Sequence, residues 1–288
     1  MVRIGIVAPA RRLTHAAADH VQALVAASGL PIELVIHPQC HLSFGHFAGS
    51  DEVRLAAFLS LANDPSLNAI WFARGGYGSA RLLAGLSGQL TAHALTKVYL
   101  GYSDVGFLLA GLRHLGCRYC AHGPVVGDVL RAGGDATIQR ALGFLARADT
   151  SGLEPHMRDG DAHLAYNLTT VCALLATDWL PETPSAQQGH ILCLEDVAEY
   201  DYATDRRMFQ LTSSAWFRNI IGVRIGRFSM VPDNDVPFPM TSEQAITEWC
   251  AKVHVPILGR ADIGHDADNK IVPFGDLAQW RMAGLLPS

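Results

Sequence analysis

The sequence lacks the features that would assign it to a specialised class of protein. Charged residues make up only 17% of its 288 positions, the formal net charge is −5, and the 22 basic residues are scattered along the chain. Proteins that bind nucleic acid or an anionic membrane usually concentrate basic residues in one patch. Repeats, low-complexity tracts and bilayer-spanning apolar runs are also missing. We therefore expect no nucleic-acid partner and no membrane partner.

The cysteines and histidines show no complete metal or disulfide pattern. Several of the six cysteines lie inside apolar runs such as 191–194, where thiols act as small hydrophobic groups. The Cys-x-x-Cys at 117–120 is half of a zinc or redox motif, with no second pair. The cluster of His37, His41 and His46 has no acidic partner at metal-site spacing. We expect no disulfide, no metal and no cofactor.

The chain alternates short apolar segments with longer amphipathic ones up to about residue 145. This pattern predicts a parallel sheet with helices on both faces. A polar, aperiodic stretch follows, which predicts a linker over 151–165 between a domain at 1–150 and a second domain at 166–288. The second domain is expected to be α+β. The N-terminus has no signal-peptide run, so we expect a cytoplasmic protein.

The individual segments can be assigned from the same pattern. The predicted strands are 4–8, 32–36, 69–73, 98–100, 189–194 and 220–228, and the predicted helices are 16–28, 53–63, 79–86, 105–115, 168–176, 202–216 and 242–253.

A serine stands where an apolar strand gives way to a helix, in Leu100-Gly101-Tyr102-Ser103-Asp104. A serine on such a turn exposes its hydroxyl, and the first N–H groups of the helix lie nearby. Ser-Asp at a helix start is also an ordinary N-cap. Both interpretations of Ser103 stay open at this point.

The segment Arg74-Gly75-Gly76-Tyr77-Gly78-Ser79 follows the preceding strand, so it lies on the same edge of the sheet as Ser103. It lacks the spacing of a nucleotide-binding loop. Its glycines allow the backbone to approach a ligand, so the N–H groups of Gly76 and Asp104 could form an oxyanion hole. A plain tight turn is the alternative. Arg74 would either bind a substrate carboxylate or stabilise the loop by a salt bridge.

Two further candidates lie in the second half of the chain. Glu195 and Asp196 end an apolar strand, and His265 stands in a loop rich in Gly, Asp and Asn. Most strand-end carboxylates are merely solvated, and most loop histidines have no catalytic role. If Ser103, Glu195 and His265 converge, they would serve as nucleophile, orienting acid and general base.

These residues stand in motifs that resemble the LD-carboxypeptidases, also called murein tetrapeptide carboxypeptidases, which include the microcin C immunity peptidases. The resemblance covers nearly the whole chain, and its motifs occur in the family's order. They are Ile4-Gly5-Ile6-Val7-Ala8-Pro9, Phe47-Ala48-Gly49 with Arg54, Arg74-Gly75-Gly76-Tyr77-Gly78, Gly101-Tyr102-Ser103-Asp104, His122-Gly123-Pro124, Asn167-Leu168, Leu194-Glu195-Asp196 with Asp205-Arg206, Gly226-Arg227-Phe228-Ser229, and Gly264-His265 with Asn269, Pro273 and Gly275.

The resemblance implies a serine peptidase whose triad is Ser103, Glu195 and His265, with the N–H groups of Gly76 and Asp104 as the oxyanion hole. It implies a flavodoxin-like N-terminal domain and a smaller, β-rich α+β C-terminal domain. Members of the family are usually cytoplasmic homodimers. They remove the terminal D-alanine of murein tetrapeptides during cell-wall recycling, so the implied partner is a small peptide. The scissile bond joins an L-centre, lysine or diaminopimelate, to D-alanine.

The chain departs from the family at Ala165-Tyr166, where Gly-Gly is usual. If this segment borders the substrate channel, Tyr166 would narrow the choice of peptide. Cleavage of aminoacyl-nucleotide conjugates, as in the immunity branch, is the alternative function, although the chain leaves little room for an added nucleotide-binding loop. A non-catalytic binding protein would not need all three triad residues. A nucleotide-using enzyme would need a lysine after the glycine-rich loop, which is missing.

Overall fold

The protein is built on two β-sheets, one of six strands and one of five. The structure is a computed structural model and describes residues 1–147, 149–180 and 189–287. The strands are β1 (Val2–Val7), β2 (Ile32–Ile36), β3 (Ala69–Phe72), β4 (Val98–Gly101), β5 (Tyr119–His122), β6 (Ala162–Asn167), β7 (His190–Val197), β8 (Ile220–Ser229), β9 (Ile257–Arg260), β10 (Val272–Pro273) and β11 (Gly275–Asp276).

The helices connect these strands. They are α1 (His15–Ser28), α2 (Asp51–Asn63), α3 (Ala92–Leu95), α4 (Gly106–His114), α5 (Gly134–Leu145), α6 (Leu168–Leu174), α7 (Asp201–Thr212), α8 (Ser242–Lys252) and α9 (Leu277–Met282). Short 3₁₀ segments cover Pro38–His41, Ser79–Leu86, Ser103–Val105, Val126–Leu130 and Trp216–Asn219. No helix of the described residues combines the length and apolar character needed to cross a membrane.

The first sheet has the strand order β10-β5-β4-β3-β1-β2, and β1 to β5 are all parallel. The order 2-1-3-4-5 of the parallel strands is that of flavodoxin-like folds, which confirms the predicted fold class. Strand β10 returns from the end of the chain and pairs antiparallel with β5.

Side-chain alternation along the strands explains why both faces of this sheet are covered. In β3, Ile70 and Phe72 enter one core, while Ala69 and Trp71 enter the other. Helices α2 and α4 contribute to the first core, and α1 and α5 to the second. A strand buried on both faces is apolar throughout, and this is the pattern from which these strands are predicted in the sequence. Helix α5 is not predicted from the sequence, because the glycines at its start obscure the helical signal.

The second sheet has the order β11-β6-β7-β8-β9, with β6 to β9 parallel. Helices α6, α7 and α8 connect these strands in turn. This half thus has parallel strands that alternate with helices, in place of the α+β arrangement expected for it. Strand β6 begins at Ala162, inside the predicted linker, because polar residues before it hide the strand start. The division at 1–150, 151–165 and 166–288 stays a prediction, and residues 181–188 and Ser288 lie outside the described residues.

The two sheets are joined in two ways. Strands β10 and β11 follow each other closely, and they pair with β5 in the first sheet and β6 in the second. Helix α4 of the first half also packs against α6 of the second, within one continuous core. This packing brings loops of both halves to the carboxyl edge of the first sheet, where ligands of such sheets bind.

Candidate active site

Ser103 lies on a sharp turn between β4 and α4. Its φ of 61° falls in the left-handed region, which a non-glycine residue rarely occupies. Glycines make room for this turn, since a Cβ at Gly101 would lie 2.8 Å from Val105 Cγ1, and one at Gly75 would lie 3.2 Å from Ser103 Cβ. The backbone therefore has the strained strand-to-helix form of a nucleophile elbow.

The structure brings together Ser103, His265 and Glu195, which are far apart in the sequence. The Oγ atom of Ser103 lies 2.9 Å from Nε2 of His265, and Nδ1 of His265 lies 2.6 Å from Oε2 of Glu195. With Glu195 ionised, Nδ1–H donates to the carboxylate and Nε2 accepts from the serine hydroxyl. The side chain of Glu195 is fully buried and that of His265 is 8% exposed.

Of the two carboxylates at the end of β7, only Glu195 contacts the histidine. Asp196 accepts hydrogen bonds from Nδ2 of Asn167 at 2.7 Å and from the backbone N–H of Thr169 at 3.0 Å. It therefore holds the start of α6. The register between β7 and β8 shifts between Leu194 and Asp196, so strand alternation alone does not assign the two side chains.

Two opposing effects set the pKa of His265. Burial lowers this pKa, but the charge of Glu195 and the hydrogen bond to it raise the pKa by more, so it lies above the ordinary value for histidine. The protonated ring is thus stabilised by the carboxylate. An imidazole that gains a proton during a reaction needs this stabilisation.

Residues that follow β5 hold the backbone of His265, and the sequence had not identified them. Arg131 donates a hydrogen bond to the main-chain carbonyl of His265 and forms an ion pair with Asp128 at 2.9 Å. Asp128 is buried and accepts from the hydroxyl of Tyr102 at 3.1 Å. The ring of Tyr102 lies 4.9 Å from the ring of His265. The i,i+3 spacing of Asp128 and Arg131 is the one sequence signal for this pair.

The other end of the His265 loop is fixed by a buried histidine. Nε2 of His122 lies 3.2 Å from Oδ1 of Asn269, which also accepts from the backbone N–H of Gly264 at 3.1 Å. Burial lowers the pKa of His122 to about 4, so its neutral ring donates Nε2–H to the amide oxygen. These contacts give a structural role to two motifs of the resemblance, that of His122 and that of Asn269.

The glycine-rich loop is tied to the serine turn by Asp104. The carboxylate of Asp104 accepts from the N–H groups of Gly78 at 3.3 Å and Ser79 at 2.8 Å. Gly76, with a φ of 119°, lines the same cleft as Ser103. The backbone of Asp104 directly follows Ser103, while its side chain is buried behind the turn.

Ser103 and His265 open onto a cleft of about 450 Å³. Three arginines line this cleft: Arg11, Arg74 and Arg131. Arg131 is paired with Asp128, whereas Arg11 and Arg74 have no side-chain hydrogen bond or ion pair within the described ranges. The salt bridge considered for Arg74 is therefore not found there. Burial, and then repulsion from Arg11 and Arg131, lower the pKa of Arg74.

Arg11 is a further site residue that sequence reasoning missed. It stands just after β1, which neighbours β3 at the point where the strand order of the first sheet reverses. Ligands of open α/β sheets bind at such points. That position is a signal by which Arg11 could have been found.

Tyr166 does not border the cleft, so the condition under which it would narrow the choice of peptide is not met. It is buried, and its ring lies 5.3 Å from that of Phe274. A Cβ at Gly106 of α4 would lie 3.5 Å from Cδ1 of Tyr166. The side chain therefore fills the core between α4 and the second sheet.

The histidines and cysteines considered as metal or redox residues make ordinary packing and hydrogen-bond contacts. His41 stacks on His15, Nδ1 of His37 accepts from the N–H of Gln39, and His46 lies beside Phe47. Within the described ranges, no three metal-binding side chains come together. The six cysteines are buried and free.

Comparisons with known proteins identify relatives of this chain. Residues 4–123 match the LD-carboxypeptidase N-terminal domain, and residues 164–280 match the LD-carboxypeptidase C-terminal domain. A Synechocystis protein that is named as a carboxypeptidase is 32% identical over 86% of this chain and 81% of its own length. The murein tetrapeptide carboxypeptidase of Pseudomonas aeruginosa is 28% identical over 96% of this chain and 92% of its own.

Solved structures show the same fold. The muramoyltetrapeptide carboxypeptidase of Oxalobacter formigenes superposes with a TM-score of 0.74 at 22% identity, covering 94% of this chain and 93% of that one. The microcin C7 self-immunity protein MccF, in complex with aspartyl sulfamoyl adenosine, gives 0.76 at 18% identity, covering 95% and 91%.

The fold and these relatives together define a peptidase of the α/β class. More specifically, the chain belongs to the LD-carboxypeptidase family, as the motif resemblance predicted.

Proposed function

We propose that the protein is a serine carboxypeptidase that hydrolyses an L-to-D peptide bond and releases terminal D-alanine from murein tetrapeptide, as a step of cell-wall recycling. The observation that supports this most strongly is the hydrogen-bonded row of Ser103, His265 and Glu195 at the mouth of a cleft. Such a row converts an unreactive hydroxyl into a nucleophile.

In the proposed first step, Oγ of Ser103 attacks the carbonyl carbon before D-alanine. The hydroxyl proton passes to Nε2 of His265, and the resulting imidazolium is stabilised by Glu195 through Nδ1–H. Negative charge develops on the carbonyl oxygen as its bond order falls. The N–H groups of Gly76 and Asp104 are proposed to receive this charge, because both amides belong to the turn and loop that surround Ser103.

In the proposed second step, the tetrahedral intermediate breaks its C–N bond. His265 returns the proton to the leaving nitrogen, so D-alanine departs as an amine and an ester to Ser103 remains. Water then attacks this ester, with His265 again accepting the proton. The bond between the acyl carbon and Oγ of Ser103 breaks, His265 returns the proton to Oγ, and the tripeptide is released with a new carboxylate. Atoms and charges balance over the cycle, since one water is consumed and Ser103 is regenerated.

Substrate binding is proposed to depend on Arg74. A guanidinium group pairs well with a carboxylate, and that of Arg74 faces the cleft without a partner of its own in the described residues. The C-terminal carboxylate of the peptide is the natural ligand for it, because that group lies close to the scissile bond.

The decisive experiment is mass spectrometry of the protein incubated with a murein tetrapeptide that ends in D-alanine. Wild type is expected to release D-alanine, and Ser103→Ala to lower kcat by about 10⁴-fold to 10⁶-fold, since the nucleophile is lost. The same peptide ending in L-alanine is the matched substrate control. Equal turnover by wild type and Ser103→Ala would disprove serine catalysis.

The alternative function, cleavage of an aminoacyl-nucleotide conjugate as in microcin immunity, is tested in parallel. Conjugates of acidic amino acids with a nucleoside sulfamate are incubated with both proteins. Turnover of these compounds, without turnover of the tetrapeptide, would assign the protein to the immunity branch.

We also propose a cytoplasmic homodimer, and the predicted domain limits, on the strength of the family resemblance. Light scattering after size-exclusion chromatography is expected to give twice the chain mass of 31.0 kDa. Limited proteolysis is expected to cut first between 151 and 165. A monomeric mass, or resistance of that segment, would contradict the respective proposal.

A further inference from the structure

The loop side of the cleft carries two positive charges that have no ion-pair partner among the described residues. Arg11 follows β1 and Arg74 follows β3, and both side chains line the cleft beside Ser103. The acid in the cleft lining, Asp128, is already engaged by Arg131 and Tyr102. The cleft therefore has an excess of positive charge on the side of the glycine-rich loop.

The two guanidinium groups interact with each other. After burial, repulsion by Arg11 is the next largest effect that lowers the pKa of Arg74. The stem of Arg11 rests on the loop itself, because a Cβ at Gly76 would lie 2.8 Å from Arg11 Cγ. Two like charges held close together repel each other. An anion bound beside both is attracted by each of them, and this attraction offsets the repulsion.

The positive region continues beyond the cleft. Arg11 and Arg74 also line an adjoining pocket of about 320 Å³, together with Arg12, Thr14 and His46. The lining of this pocket contains no aspartate or glutamate within the described ranges. Arg12 belongs to the pocket lining and is absent from the cleft lining, which makes it a natural control.

We propose that Arg11 and Arg74 together form a carboxylate-binding subsite, and that Arg11 makes the enzyme selective for peptides with a free C-terminal carboxylate. This rests on the proposed function. When a single residue is released, its carboxylate carbon is three bonds from the scissile carbonyl carbon, so it must bind next to Ser103. Two guanidinium groups offer N–H donors and positive charge to both carboxylate oxygens, whereas a neutral carboxamide leaves both charges uncompensated.

The test compares a murein tetrapeptide with its C-terminal carboxamide, and a third peptide in which a side-chain carboxylate is amidated instead. The release of D-alanine or D-alaninamide is measured for wild type, Arg11→Gln, Arg11→Lys and Arg12→Gln. We expect Arg11→Gln to lower kcat/KM for the free acid by about 10-fold to 100-fold, mainly through KM, and for the C-terminal amide by less than about 3-fold. Arg11→Lys should recover part of the loss, because it restores the charge but not the planar fork.

Each other outcome has a definite meaning. An equal loss on acid and C-terminal amide, or the same loss in Arg12→Gln, would overturn the subsite and point to a structural or a general electrostatic effect. If Arg11→Gln lowers kcat/KM only for peptides that keep the side-chain carboxylate, whether or not the C-terminus is amidated, the assignment to the C-terminus would be overturned. If wild type turns over none of the peptides and Ser103→Ala binds none by calorimetry, the proposed function itself fails, and this inference with it.

Discussion

The two sides of the Ser103 cleft hold their charges in opposite ways. On the second-sheet side, Glu195 and His265 are buried and hydrogen-bonded to each other. On the first-sheet side, Arg11 and Arg74 face the cleft without a carboxylate partner in the described residues. A group that moves a proton must be held in one geometry and one tautomer, so the fold supplies its partners. A charge that receives a ligand is left unpaired until the ligand binds.

The largest effect is expected from removing the buried charge of Glu195. Glu195→Gln keeps the shape of the side chain but no longer stabilises the imidazolium or the correct tautomer of His265. We expect kcat to fall by about 10⁴-fold, measured as D-alanine release.

The adjacent Asp196→Asn is the matched control for Glu195→Gln. Asp196 holds Asn167 and Thr169 and does not contact His265. This variant is expected to lower the free energy of unfolding by about 1–3 kcal/mol, with kcat within about tenfold of wild type. If both variants lose activity equally, the distinction between the two carboxylates is wrong.

A smaller effect is expected at the junction of the two sides, where Arg131 contacts the backbone of His265. His265 must be neutral to accept the serine proton, so kcat/KM falls as the pH drops through its pKa. Burial lowers the pKa of His265, and Glu195 raises it by more. Arg131 lowers this pKa and Asp196 raises it, each by a smaller amount. The acidic limb of the pH profile should therefore lie above the ordinary pKa of histidine.

The Arg131→Gln variant sharpens this prediction. It removes a positive charge that disfavours protonation of His265, so the acidic limb should move to higher pH. Arg131→Lys keeps the charge and should leave the limb near its wild-type position, even if kcat falls because the guanidinium fork is lost. An unmoved limb in Arg131→Gln would show that Arg131 does not act on the titration of His265.

The smallest effect is expected outside the cleft, at Tyr166. Its hydroxyl is buried without a hydrogen-bond partner among the described residues. Tyr166→Phe removes this unsatisfied group without a change of shape, so the free energy of unfolding should stay the same or rise by about 1 kcal/mol. Chemical denaturation measures this. If Tyr166→Phe changed the ratio of kcat/KM between different peptides, Tyr166 would instead have a role in substrate selection.

Much of the first half could be predicted because local patterns suffice there. Apolar strands that alternate with helices define a parallel sheet, and everything that follows such a strand meets at one edge. Ser103 and Arg74 were found in this way, since each comes directly after a strand. Helix α5 and strand β6 were missed, because glycines and polar residues at their starts weaken the periodic signal.

The second half of the site was only partly predictable. Glu195 and His265 could be named from motifs, but strand alternation alone does not separate Glu195 from Asp196 where the register of β7 is irregular. Arg131 and Arg11 were missed for a different reason. Their roles depend on which loops of the fold meet them, and no local pattern carries that information.

By itself, the sequence determined strands β1 to β4 of the first sheet, the glycines that permit the Ser103 turn, and the chemical groups available for catalysis. Only the tertiary structure decided which of these groups meet. Ser103 and His265 are 162 positions apart, and the distance of 2.9 Å between them depends on the packing of α4 against α6 and the return of the chain through β10. Local propensities act over a few residues, whereas a site shared by two sheets is set by the long-range packing that fixes one sheet against the other.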